Sequence, residues 1–162
     1  MIPLIVVAIV FTTLRTAGAL GIRALRDWRL CLRWALAVML LVTASAHWGG
    51  KRADLIAMVP PVFPQPELLV TLTGILELAG AAGLVYARTS RAAAVCLALL
   101  FIAMFPANIY AARQHLSIGG QPVTELPLRT AIQVVLIAAS IAIAWRKREP
   151  AAAGTMETCA AS

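Results

Sequence analysis

The sequence predicts an all-α integral membrane protein: a bundle of four core transmembrane helices preceded by one N-terminal transmembrane helix. Three observations predict it. The 162 residues are 61% apolar and only 13% charged, whereas soluble domains average about 25% charged. The apolar residues fall in runs near the ~20 residues that a spanning helix needs at 1.5 Å rise per residue. The net charge of +7 is carried by basic residues at the ends of those runs, which is what membrane topology produces and is not a nucleic-acid-binding patch.

Four segments qualify as spans outright: Leu30–Trp48, Pro66–Tyr86, Arg91–Ala112 and Leu128–Trp145. Ile2–Leu14 is short, and reaches full length by continuing through Arg15 to about Ile22, with Arg15 snorkelling to the headgroups. The competing reading is a signal peptide, which expects a basic residue ahead of the apolar stretch; here none precedes Arg15. The organisation expected is therefore residues 1–22 as the N-terminal helix, 23–146 as the four-helix domain and 147–162 as a polar, aperiodic cytoplasmic tail. Cys31, Cys96 and Cys159 show no CxxC or Cys/His ligand spacing, so no metal site or dithiol pair is expected. Cys31 and Cys96 are expected to pack as small apolar side chains.

With five spans, Arg23, Arg26, Arg29, Arg33, Arg88, Arg91, Arg146, Lys147 and Arg148 fall on one side, against Lys51, Arg52, Arg113 and Arg129 on the other. The richer side is expected to be cytoplasmic, with the N-terminus outside and the C-terminus in the cytoplasm. Trp28, Tyr86 and Trp145 then mark the inner interface and Trp48 and Tyr110 the outer one. On the outer side, residues 49–65 are expected to form a short helix followed by a stiff piece broken by Pro60, Pro61 and Pro64, lying over the bundle mouth. Residues 113–127 carry Gly119-Gly120, a hairpin turn signal.

Glu77 is the residue that points to chemistry. It lies 11 residues past Pro66, about 16 Å along a helix axis and near the midplane. A charge there costs at least ~3 kcal/mol on insertion scales, so it has to be paired, neutralised by a proton or used. Glu77 is the candidate proton donor and acceptor; the alternative is a hydrogen-bonded residue holding helices together. Gly74, Gly80 and Gly83 flank it at spacings that let a helix approach, in this chain or in a second copy. Thr73, one turn before, is expected to donate a hydrogen bond to Glu77. His47, Asn108 and Gln133 lie on three other spans towards the outer side. Polar groups avoiding lipid turn inward, so the ligand-binding set expected is His47, Asn108, Gln133 and Thr73, around a pocket above Glu77. Each has a plainer reading: an interfacial His47, an Asn108 satisfying the turn broken by Pro106, a Gln133 joining helices.

His47, Met58–Leu69 (MVPPVFPQPELL), Thr73–Leu84 (TGILELAGAAGL) and Phe105–Ala112 (FPANIYAA) together resemble bacterial DoxX-like membrane proteins, in order and spacing, over residues 30–145. The resemblance implies a four-helix inner-membrane unit, similar to a membrane subunit of thiosulfate:quinone oxidoreductase, with a redox protein as partner. It supplies no agreed catalytic motif. The function expected is a membrane subunit or partner of a redox or sulfur-handling system, an accessory to a quinone-linked oxidoreductase, with a small apolar ligand such as a quinone in the outer-leaflet pocket. The partners expected are the lipid bilayer and, as candidates, a redox protein and a second copy of the chain, with no nucleic acid. The alternative is a non-catalytic structural, assembly or lipid-binding protein.

Overall fold

The computed structural model describes residues 2–122 and 124–145; the tail expected at 147–162 lies outside them. Among the described residues six α-helices follow in order: α1 (Ile2–Ala19), α2 (Trp28–Ala44), α3 (Arg52–Ala57), α4 (Pro66–Val85), α5 (Ser90–Arg113) and α6 (Leu126–Ala144). One-turn 3-10 segments, Arg23–Arg26 and Ser45–His47, precede and follow α2. Two short strands, β1 (Ser117–Ile118) and β2 (Gln121–Pro122), form an antiparallel hairpin. Among the described residues, α1, α4, α5, α6 and α2 extended to His47 are long and apolar enough to cross a membrane.

Each boundary has a local cause. Asp27 caps α2 by accepting from the Arg29 backbone N–H at 2.9 Å, which satisfies one of the unpaired donors of a first turn. Prolines open α4 and α6 within their first two positions, where a missing N–H costs nothing. Gly119 and Gly120 both have positive φ, as a two-residue hairpin turn of this hand requires. Gln65, just before Pro66, also sits in the left-handed region at φ 54°, which a side chain makes costly. Gln65→Gly is expected to raise the unfolding temperature in detergent, by up to about 1 kcal/mol of stability, while Gln65→Ala leaves it unchanged.

α2, α4, α5 and α6 form the bundle, with neighbours packed along α2–α4, α4–α5 and α5–α6, while α2 and α6 meet only sparsely; α1 packs on the outside of α2. The core, built from Leu36 and Leu40 of α2, Leu84 of α4, Leu97 and Phe101 of α5 and Leu136 of α6, fills the half of the bundle nearest the turn between α4 and α5. Arg33 closes that end by donating from Nε and Nη2 to the Leu84 and Val85 carbonyls, both at 2.8 Å, so this residue caps α4 besides contributing charge. Outward faces carry large apolar side chains, among them Leu99 (61% exposed), Val134 (58%) and Ile102 (54%). A belt of that kind on every long helix is the pattern of a surface in contact with lipid tails. Cys31 is buried, as expected, but Cys96 is exposed. It lies on the belt face of α5, between Val95 and Leu99, so it does not pack inside the bundle.

The glycines of α4 serve packing within the chain. A Cβ on Gly74 would meet His47 and Trp48, one on Gly80 would meet Leu97, and one on Gly83 would meet Ala93.

Candidate functional site

The other half of the bundle holds a cavity of about 690 Å³, in the range of small-molecule sites. Its floor is Met39, Phe101 and Leu136, where the core ends. Thr43, His47 and Glu77 line one side, and Asn108, Arg129 and Gln133 the other. Part of the segment after α2 covers it: α3 contributes Leu55, followed by Met58, and the hairpin adds Ile118 and Gly119, while the piece with Pro60, Pro61 and Pro64 is not in the lining. The two covering pieces are joined where the Gly119 N–H donates to Asp54 Oδ2 at 2.7 Å.

Glu77 is on the buried stripe of α4 with Val70, Gly74, Ala81 and Leu84, and is 4% exposed. Its Oε2 accepts from Thr43 Oγ1 at 2.7 Å, and its Oε1 lies 3.6 Å from His47 Nε2. His47 is held from the far side of the ring, where Nδ1 is 2.7 Å from the Val70 carbonyl. A carbonyl oxygen only accepts, so Nδ1 carries hydrogen. Nε2, the other ring nitrogen, faces the Glu77 carboxyl. An imidazole and a carboxyl, both groups able to exchange protons, thus stand together at the edge of the cavity. Arg52 fixes the base of this arrangement, donating to the His47 carbonyl at 2.8 Å and to Thr71 Oγ1 at 2.9 Å.

The opposite side is a chain of amides. Arg129 Nη1 donates to Asn108 Oδ1 at 2.6 Å, Asn108 Nδ2 donates to Gln133 Oε1 at 3.1 Å, and Gln133 Nε2 donates to the Phe101 carbonyl. Pro106 lies within this stretch of α5, where it disrupts the backbone ladder. The side chain that reaches this stretch is Gln133 from α6, while Asn108 is taken up by Gln133 and Arg129.

His47, Asn108, Gln133 and Glu77 thus line one cavity. Thr73 does not. Its hydroxyl donates within its own helix, to the Leu69 and Val70 carbonyls at 2.9 and 3.0 Å, the habit of threonine in helices. The donor to Glu77 is Thr43, across the helix interface. Thr43 at the end of α2 and His47 in the 3-10 turn that continues it are four residues apart and both reach Glu77; that spacing is the signal that could have found Thr43. Arg129 stands in the same relation to Gln133 on α6; read only as a flanking charge, it was missed.

Residues 36–146 match the family described as Domain of unknown function (DUF8561), over more than half of the chain. The chain belongs to the DUF8561 family. The DUF8561 match contains every residue of both polar clusters and leaves out α1. No curated protein and no solved structure matches the chain.

Proposed function

We propose that this is a DoxX-like protein of the bacterial inner membrane, with the N-terminus outside and the C-terminus cytoplasmic. In this reading it binds a small amphiphile, a quinone in the first instance, as the membrane subunit or partner of a redox or sulfur-handling system. The observation that carries the reading is the Glu77–His47 pair, an imidazole facing a carboxyl beside an apolar-floored cavity. A quinone carbonyl gains a proton when it is reduced and returns one when it is oxidised, and a pair of this kind can exchange it. The lipid-facing belt and the basic residues gathered near the uncovered end of the bundle support the placement and orientation.

The test compares quinone in solvent extracts of purified wild type and Glu77→Gln. Glutamine is nearly isosteric: it still accepts from Thr43, and its amide can donate to neutral His47, so the fold is expected to persist. It cannot release a proton. Wild type is expected to carry quinone and the variant at least about tenfold less, the loss of one charge-assisted contact. Equal quinone in the two proteins would remove Glu77 from the site.

A second reading is favoured by one specific observation: Glu77 bonds to Thr43 and approaches His47, both on the α2 side, as a helix-joining residue would. A purely structural or lipid-binding protein of this kind would lack quinone in both forms and lose stability on Glu77→Gln.

A further inference from the structure

We propose that the covered mouth of the cavity is an anion site, centred on Arg129, for the headgroup of a bilayer amphiphile with a single acyl or alkyl chain. The proposal rests on the reading that the cavity receives a ligand from the bilayer, and adds a headgroup subsite separate from the Glu77–His47 pair.

Arg129 lies one turn into α6, with its side chain in the cavity wall. One of its donors is used, on Asn108. Its Nε is buried and, among the described residues, has no hydrogen-bond partner. Among those residues too, no carboxylate lies within ion-pair distance of it; Glu125, just before the first residue of α6, is exposed and unpaired with it. Arg129 is half-buried; a buried donor without a partner is costly unless an acceptor meets it, and the planar fork of a guanidinium suits the oxygens of a carboxylate or phosphate.

The charge around it agrees. Lys51 also lines the mouth, its stem packed at the hairpin tip beside Gly119. Glu77, the carboxylate among the lining residues, is already engaged by Thr43 and His47. Asp54, on the cover, is taken up by the Gly119 N–H, and among the described residues neither Arg129 nor Lys51 has a carboxylate within ion-pair distance. Below the mouth, Met104 and Ile132 join the apolar floor of Met39, Phe101 and Leu136, which offers a chain what it cannot offer a free oxyanion. The cavity reaches the sparsely packed α2–α6 seam, where Ile2 and Pro3 of α1 form its edge. A chain could enter there from the lipid side with its head beside Arg129.

The experiment measures saturable binding of radiolabelled dodecyl phosphate to the full chain in nanodiscs of zwitterionic phosphatidylcholine, with empty discs as background. Wild type is expected to bind it, and Arg129→Gln at least about tenfold more weakly, the loss of a charge-assisted contact. Arg129→Lys, which keeps the charge, should recover part of the affinity. Dodecanol should bind wild type at least about tenfold more weakly than dodecyl phosphate and be indifferent to Arg129→Gln. Equal binding of dodecyl phosphate to wild type and a stably folded Arg129→Gln, or dodecanol as tight as dodecyl phosphate, would overturn the proposal. Displacement by inorganic phosphate at the same concentrations would also overturn it, by assigning the site to an aqueous anion. Quinone content of Arg129→Gln separates the two ideas: wild-type quinone with lost dodecyl phosphate binding supports the headgroup site independently of the Glu77 chemistry. Should Arg129→Gln fail to fold, the wild-type preference for dodecyl phosphate over dodecanol decides alone.

Discussion

Gly74→Ala is expected to destabilise the protein by about 1–3 kcal/mol, the range for overpacking a tight interior, and to empty the site as well. A methyl at position 74 would stand 2.8 Å from His47 Cβ and Cγ and 2.9 Å from Trp48 Cη2. The His47 atoms are next to the backbone and cannot swing aside as a chain end could. His47 is also held at two points, by Nδ1 against the Val70 carbonyl and by Arg52 on its own carbonyl. The substitution must therefore push α2 from α4 or turn the ring away from Glu77. Reversible unfolding in mixed micelles reads the first effect and the quinone content of the purified variant reads the second. Gly50→Ala is the control: a Cβ there meets nothing within 4 Å, and its stability should stay within about 0.5 kcal/mol of wild type. A Gly74→Ala protein as stable as the control, with quinone unchanged, would mean that His47 does not need its present position.

Gln133→Leu is expected to cost about 1–3 kcal/mol, the scale of leaving buried polar groups unpaired. The side chain is buried at 7% exposure and ties α6 to α5 twice, donating to the Phe101 carbonyl and accepting from Asn108 Nδ2. Leucine fills a similar volume, so the loss is one of hydrogen bonds more than of packing. The effect has a second reach. Asn108, released on one side, no longer orients its Oδ1 firmly for Arg129, so dodecyl phosphate binding should weaken together with stability. Val134→Ala, at the neighbouring position that faces outward, should alter neither. Unfolding of the three proteins in one detergent checks the ranking, and Gln133→Leu matching Val134→Ala would sink the bridging role.

Much of the candidate site was legible in the sequence because lipid leaves a polar side chain few places to go. Glu77, His47, Asn108 and Gln133 are rare polar residues in apolar runs, and all four turn inward. Thr73 failed for a local reason: a threonine inside a helix finds a carbonyl one turn back before it finds a carboxyl one turn ahead. Arg129 was hidden by its position. Near a helix end, a basic residue reads as a topology signal, and only the rotation of α6 about its axis puts it in the cavity wall instead of the headgroups. Cys96 was misread for the same reason, since an apolar run with no clear polar face does not say which side faces the core.

By itself the sequence determined what acts within about a turn of chain: five apolar helices, the breaks at Pro60, Pro61 and Pro64, the glycine hairpin, and a carboxylate midway along an apolar helix. These follow from hydropathy, ring geometry and φ preferences, which need no distant partner. The tertiary structure decided which side chains meet. Thr43 rather than Thr73 reaches Glu77, Gln133 rather than Asn108 bridges to the α5 backbone, and Arg129 joins the site at all, because helix rotation and depth are set by the packing of whole faces, with Gly74 against His47 and Gly80 against Leu97. Such contacts join residues tens of positions apart, and no local pattern carries them.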